Sequence, residues 1–168
     1  LRATHALFSG DYERVDRIAG RALAALREAG DGRRAARASV IAGFSYVLAG
    51  RNDEAAELIA AARTESAELD DDWLSAWADA VDGLLARRDG RLDEAEAASA
   101  RALSAFSALG DRLGPLLPTL TLGRIACARG DVDGGVRLLD RAIEAGESLG
   151  DRLVVTLGHA YAARVLLG

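Results

Sequence analysis

Few residues in this 168-residue chain have types and spacings that could do chemistry. His5 and His159 lie far apart, and with the one cysteine, Cys127, they form no recognisable metal-ligand spacing. Nothing near Cys127 in the sequence argues for a lowered thiol pKa, so it reads as a small packed residue. Asp133-Gly134-Gly135 lacks the lysine and Ser/Thr of a phosphate-binding loop, and reads as a weak point in a helix or as room for a close neighbour. Carboxylates are plentiful at Asp70, Asp71, Asp72, Asp79 and Asp82, and paired acids can do general acid-base work. Positions 72, 79 and 82 share a helical face, which an exposed or capping role explains without a site. The expectation is a chain without catalytic, cofactor-binding or metal-binding residues, and therefore not an enzyme.

What remains is charge. All 21 basic side chains are arginine, against 26 carboxylates, and the net charge is -5. The signs are mixed and no basic tract is long enough to neutralise a run of phosphates, so direct nucleic-acid binding through this segment is not expected. One cysteine cannot form an internal disulfide, which suits a reducing cytoplasm. No apolar run approaches the roughly 20 residues that span a bilayer, and no signal-peptide pattern opens the chain. These features predict a soluble cytoplasmic protein with no membrane partner. Methionine is absent, so residue 1 is read as an internal position of something longer.

The elements that would hold these charges follow from a repeat of 40 residues, found by aligning the chain with itself. Gly10, Gly50, Gly90 and Gly130 share one column, with Glu13, Asp53, Asp93 and Asp133 three positions later. Asp31, Asp71, Asp111 and Asp151 share a second, Gly43, Gly83 and Gly123 a third, and Ala22, Ala62, Ala102 and Ala142 a fourth. Between them apolar residues recur at helical steps: Val132, Val136, Leu139, Ala142, Ile143 and Leu149 lie on one stripe. Strand-like alternation is missing. Each unit therefore reads as two helices, the first at about 33–48, 73–88, 113–128 and 153–167, the second at about 12–29, 52–69, 92–109 and 132–149. Repeat units run over about 1–30, 31–70, 71–110, 111–150 and, in part, 151–168, with residues 1–8 as the tail of an earlier helix.

The boundaries have physical causes. Asp31, Asp71, Asp111 and Asp151 stand where a carboxylate accepts from the free N–H groups that open a first helix, and Asp11 and Asp131 stand likewise before a second. Glu54, Glu94 and their neighbouring aspartates favour the positive end of theirs. The recurrent glycines allow the left-handed residue that stops a helix. Pro115 and Pro118 would cost about 3 kcal/mol inside a helix. They predict a late start near Gly114, which puts both among the opening positions whose N–H groups lack an internal partner.

Small residues at fixed offsets, Gly43/Ala55/Ala62, Gly83/Ala95/Ala102 and Gly123/Gly135/Ala142, with Tyr46 three residues after the first glycine, resemble the tetratricopeptide repeat. That repeat has a usual period of about 34 residues, so these helices are a turn longer overall. The family's proline after the second helix is replaced near its place by Ala67, Ser107 and Glu147, and its early tryptophan by Ser39, Asp79 and Thr119. The phrases Ala-Leu-Gly-Asp-Arg-Leu-Gly at 108–114, Ser-Leu-Gly-Asp-Arg-Leu at 148–153 and Leu-Asp-Glu-Ala at 92–95 are similar to the longer variant in large MalT-like and LuxR-type transcriptional regulators and related signalling proteins. The resemblance implies an all-α, right-handed superhelical solenoid of antiparallel helix pairs, with about four repeats and roughly eight full helices plus a stub.

In such arrays the first helices line a concave surface. Carried over by position, that surface holds Arg37, Val40, Phe44 and Leu48; Trp77, Ala80, Leu84 and Arg88; Leu117, Leu120, Arg124 and Cys127; and Leu157, Ala160 and Arg164. Apolar residues beside a line of arginines suit a peptide, an amphipathic helix or an anionic effector. Phe44, Trp77 and Leu84 are equally consistent with core between repeats, and Trp73, aligned with Leu113 and Leu153, reads as core. Arg87, Arg88 and Arg129, near helix ends, also complement the helix dipole. The functional expectation is an interaction or effector-sensing scaffold binding a peptide or protein segment or a small anion. The alternatives are an architectural arm, self-associating through exposed solenoid ends, and an accessory domain positioning a neighbouring ATPase or other enzyme domain.

Overall fold

The structure, a computed structural model, describes residues 12–166. Eight helices and no strand occur among them: α1 (Tyr12–Glu28), α2 (Gly32–Ala49), α3 (Asn52–Leu69), α4 (Asp72–Arg88), α5 (Leu92–Ala108), α6 (Leu116–Ala128), α7 (Val132–Leu149) and α8 (Arg152–Leu166). The fold is all-α, with helices packed as sequential antiparallel-like pairs. No described helix is long and apolar enough to cross a membrane. The expected helical tail at residues 1–8 and the cap at Asp11 lie outside the described residues.

Left-handed residues set the rhythm. Positive φ occurs at Gly30, Gly50, Asp70, Gly90, Gly110, Gly130 and Gly150, one every 20 positions. The 40-residue period is thus two half-periods, each a helix and its stop. At the glycine stops the next N–H reaches back into the last turn, as Asp31 N to Leu26 O (3.0 Å) and Asp151 N to Gly146 O (2.8 Å). At position 70 an aspartate holds φ 48° where the other stops have glycine.

Starts are capped as the acid columns predict. Asp31 accepts from Arg34 N (3.1 Å), Asp71 from Leu74 N (3.1 Å), Asp131 from Gly134 N (2.9 Å) and Asp151 from Val154 N (3.1 Å). Each such cap stabilises its helix by about 1 kcal/mol. Asp111 accepts from Leu113 N and Gly114 N, both at 2.8 Å, as Asp151 does from Leu153 N and Val154 N, but in the turn before α6. Helix α6 then begins only at Leu116, with Pro115 as its cap residue at φ -60° and Pro118 within its first turn, and continues unbroken to Ala128. The late start leaves Leu113 in the turn and 50% exposed, whereas Trp73 and Leu153 are half-buried on their helices.

The chain divides between Val81 and Asp82, inside α4, into two compact units. In the first unit α2 packs against α1 and α3. Its core is built of small side chains, Ala35, Ala36, Val40, Ala55 and Ala62, around Ile59 and Leu74. Gly43 lets α2 and α3 approach, since a Cβ there would lie 3.1 Å from Ile59 Cδ1. In the second unit α6 packs against α5, α7 and α8, and α7 against α8. Leu116, Leu120, Leu139, Ala142 and Val154 form its larger cluster, with Leu157 and Tyr161 packed against them. Full burial of a leucine contributes about 1.5–3 kcal/mol, so Leu120 and Leu139 anchor this cluster. Gly135 lets α6 and α7 approach: a Cβ would meet Cys127 Sγ at 2.2 Å and Gly123 O at 2.6 Å. The glycines of 133–135 therefore make room for neighbours and hold no phosphate loop.

Candidate functional site

In the first unit Arg33, Arg37 and Arg63, all partly exposed, have carboxylate partners. Asp71, its side chain only 2% exposed, takes Arg37 Nε at 2.9 Å and Arg37 Nη2 at 2.9 Å in a two-pronged pair, and Arg33 Nη1 at 3.0 Å. Arg33 also donates to Leu69 O at 2.7 Å, fastening the start of α2 to the end of α3. Burial pushes the Asp71 carboxyl up. The Arg37 and Leu74 hydrogen bonds and the charges of Arg37 and Arg33 more than offset this and hold it below the ordinary aspartate value. Arg37 further lies 4.8 Å over the Trp73 ring, which stands 5.8 Å from Trp77 at 52°. Arg63 pairs with buried Asp79 at 2.7 Å. Arg37, proposed from the sequence for a ligand surface, thus commits its Nε and Nη2 donors to Asp71. Trp73 is half-buried beneath it, not core.

The second unit has a different arrangement of charge. Arg124, half-buried before the last turn of α6, lies with its guanidinium carbon 3.7 Å over the ring of Tyr161 on α8. Tyr161 packs its ring against the Leu116–Leu120–Leu139 cluster, so the core fixes the platform on which Arg124 rests. Burial depresses the Arg124 pKa to about 10; the Tyr161 phenol opposes the shift, while the positive charges of Arg87, Arg88 and Arg164 add to it. Arg87 is lowered in the same way, by burial first and then by Arg88 and Arg164, with Tyr161 opposing. Its Nε is buried without a hydrogen-bond acceptor. Among the described residues none of these four arginines has a carboxylate within ion-pair distance.

Three of the four, Arg88, Arg124 and Arg164, are sequence candidates, brought together from α4, α6 and α8. Leu84 and Leu120 are not on the surface with them: at 2% and 1% exposure they are core beneath it. Phe44 and Trp77 are half-buried in the first unit. The sequence reading left out Tyr161 and assigned Arg87 to the helix dipole. The signal for Tyr161 was its place three residues before Arg164 on one helix face. Helix dipoles favour Arg87, Arg88 and Arg164 in the last turns of α4 and α8, but not Arg124, which stands before the last turn of α6.

Other chemistry is ordinary. Burial, then the charge of Asp131, raises the Cys127 thiol pKa, which makes it a weak nucleophile at neutral pH. Of the three acids on one face of α4, Asp72 is exposed, Asp79 pairs with Arg63, and Asp82 borders a shallow cleft of about 300 Å³ with Arg91, Glu94 and Arg101. A second cleft of about 380 Å³ is bordered by Arg129, which bridges Glu96 (2.5 Å) and Asp93, and by Leu122, Ile125 and Leu138. Both clefts mix charges of opposite sign, and neither contains the arginine group. No His, Cys, Asp or Glu cluster suited to a metal ion occurs among the described residues, and His159 is exposed on α8. The sequence matches no family model, and no curated protein matches it.

Proposed function

We propose that this chain is a non-catalytic helical-repeat scaffold of the tetratricopeptide kind, serving a multidomain transcriptional regulator or signalling protein, and that it captures a peptide or protein segment on the arginine-bearing face of its second unit. The observation that carries the reading is Arg124, its guanidinium 3.7 Å over the Tyr161 ring and, like Arg88 and Arg164, without a carboxylate partner among the described residues. Charge left unmatched at a protein surface favours association with an acidic partner and speeds the encounter. A half-buried aromatic-stacked guanidinium among them gives that partner a fixed donor.

The test is size-exclusion chromatography with light scattering, on the chain alone and with pools of synthetic acidic, neutral and basic peptides, followed by mass spectrometry of what co-elutes. A monomer that retains a defined set of acidic peptides, and loses them when Arg88 and Arg124 are both changed to glutamate, supports the reading. Unchanged retention by that variant ends it. A ligand-free dimer would favour the architectural reading, for which Leu109 and Leu113, 44% and 50% exposed around the α5–α6 turn, are the apolar surface to examine.

A further inference from the structure

We infer that the Arg87–Arg88–Arg124–Arg164 group, seated on Tyr161, is a binding site for a doubly charged phosphoryl group. This rests on the reading of the same face as a capture surface, and it adds the chemistry that the face selects. Stacking on Tyr161 at 3.7 Å occupies the face of the Arg124 guanidinium and leaves its in-plane N–H donors for an acceptor. No described residue supplies that acceptor, and the buried Arg87 Nε–H also lacks one. Donors and positive charge thus accumulate where the chain gives them nothing to bind, although carboxylates outnumber arginines in its composition.

The number of charges selects the ligand. One carboxylate would offset a single arginine, whereas a phosphate monoester carries about -1.5 to -2 near neutral pH and offers three acceptor oxygens. A tetrahedral oxyanion can also take paired donors from more than one guanidinium fork at once, which a planar carboxylate cannot do as readily. A longer polyanion such as a nucleic-acid backbone would need a continuing basic track, and the clefts elsewhere in this unit are bordered by Glu94, Glu96, Asp82 and Asp131. The phosphoryl group can come from a phosphorylated side chain of the captured segment or from a small phosphorylated molecule.

Isothermal titration calorimetry on the full 168-residue chain with pyrophosphate, a phosphoserine peptide, and the same peptide carrying glutamate at that position separates the outcomes. Expected is saturable one-site binding of the phosphoryl probes, with the arginine Nε–H resonances of Arg87 and Arg124 shifting on addition. The exposed pair Arg88→Gln/Arg164→Gln, which leaves the buried packing intact, should weaken binding by about tenfold or more, or about 1.4 kcal/mol. Tighter binding of the phosphopeptide than of pyrophosphate assigns a phosphorylated segment; the reverse assigns a small phosphorylated ligand. Equal affinity for the glutamate peptide without competition by pyrophosphate overturns the phosphoryl site and leaves segment capture standing. Pyrophosphate binding without capture of any peptide supports the site and removes the capture reading. Absent binding of both phosphoryl probes, or binding unchanged in the double variant, overturns the site.

Discussion

Two groups of arginines, one in each unit, meet opposite electrostatic circumstances. In the first, Arg33, Arg37 and Arg63 surround Asp71 and Asp79, and the aspartates are the more deeply buried partners. In the second, Arg87, Arg88, Arg124 and Arg164 repel one another around a tyrosine. A paired arginine stabilises the fold, and its charge is already matched. An unmatched one costs stability, and its electrostatic free energy is recovered only when an anion arrives.

The largest effect that would sharpen this contrast is expected from Asp71→Ala. It removes a helix cap and the shared acceptor of two arginines, which at 49% and 40% exposure can rehydrate. A loss of about 2–3 kcal/mol in urea denaturation is expected, below the full cost of breaking a buried pair. Because the folded pKa of Asp71 is depressed, its contribution is present above the unfolded value of 3.8 and disappears as pH falls through the lower folded value. A wild-type-minus-variant difference that stays constant down the acid limb would contradict this. Next come Arg37→Met and Arg124→Met, expected to differ in sign. The former should lose about 1–2 kcal/mol of charge-assisted hydrogen bonding. The latter should leave stability unchanged or raise it by up to about 1 kcal/mol, as relief of a desolvated charge outweighs the lost stacking. The folded Arg124 pKa of about 10 lies below its unfolded value, so its charge penalty is in full force at pH 7 and is relieved only as pH rises from about 10 towards that unfolded value. Equal losses from the two methionine variants would break the comparison. The smallest effect is Asp70→Gly, which relieves a left-handed aspartate; a gain of about 0.5–1 kcal/mol is expected in the same assay.

The helices were legible because the same punctuation recurs at fixed intervals. The bounds of α3 and α7 match the sequence reading, and the late start of α6 followed from Pro115 and Pro118. Burial was less legible. Leu84 and Leu120 lie on the same helices as Arg88 and Arg124, yet they are core, because periodicity gives a stripe but not the depth at which it sits. Ala22 shares a column with buried Ala62, Ala102 and Ala142 yet is exposed; its small partner by the same offset would be Ala3, outside the described residues. Arg37 and Arg124 looked alike on one helical face. Their separation depended on a carboxylate 34 positions away that reaches Arg37, and no acid in the Arg124 column announced its own absence.

The stop at every 20th residue has a consequence for how such a chain can change over generations. Joints of one design carry no information about position, so a duplicated or deleted helix pair still meets a compatible joint on either side. Individuality then falls to the few side chains, such as Tyr161, that depart from their columns.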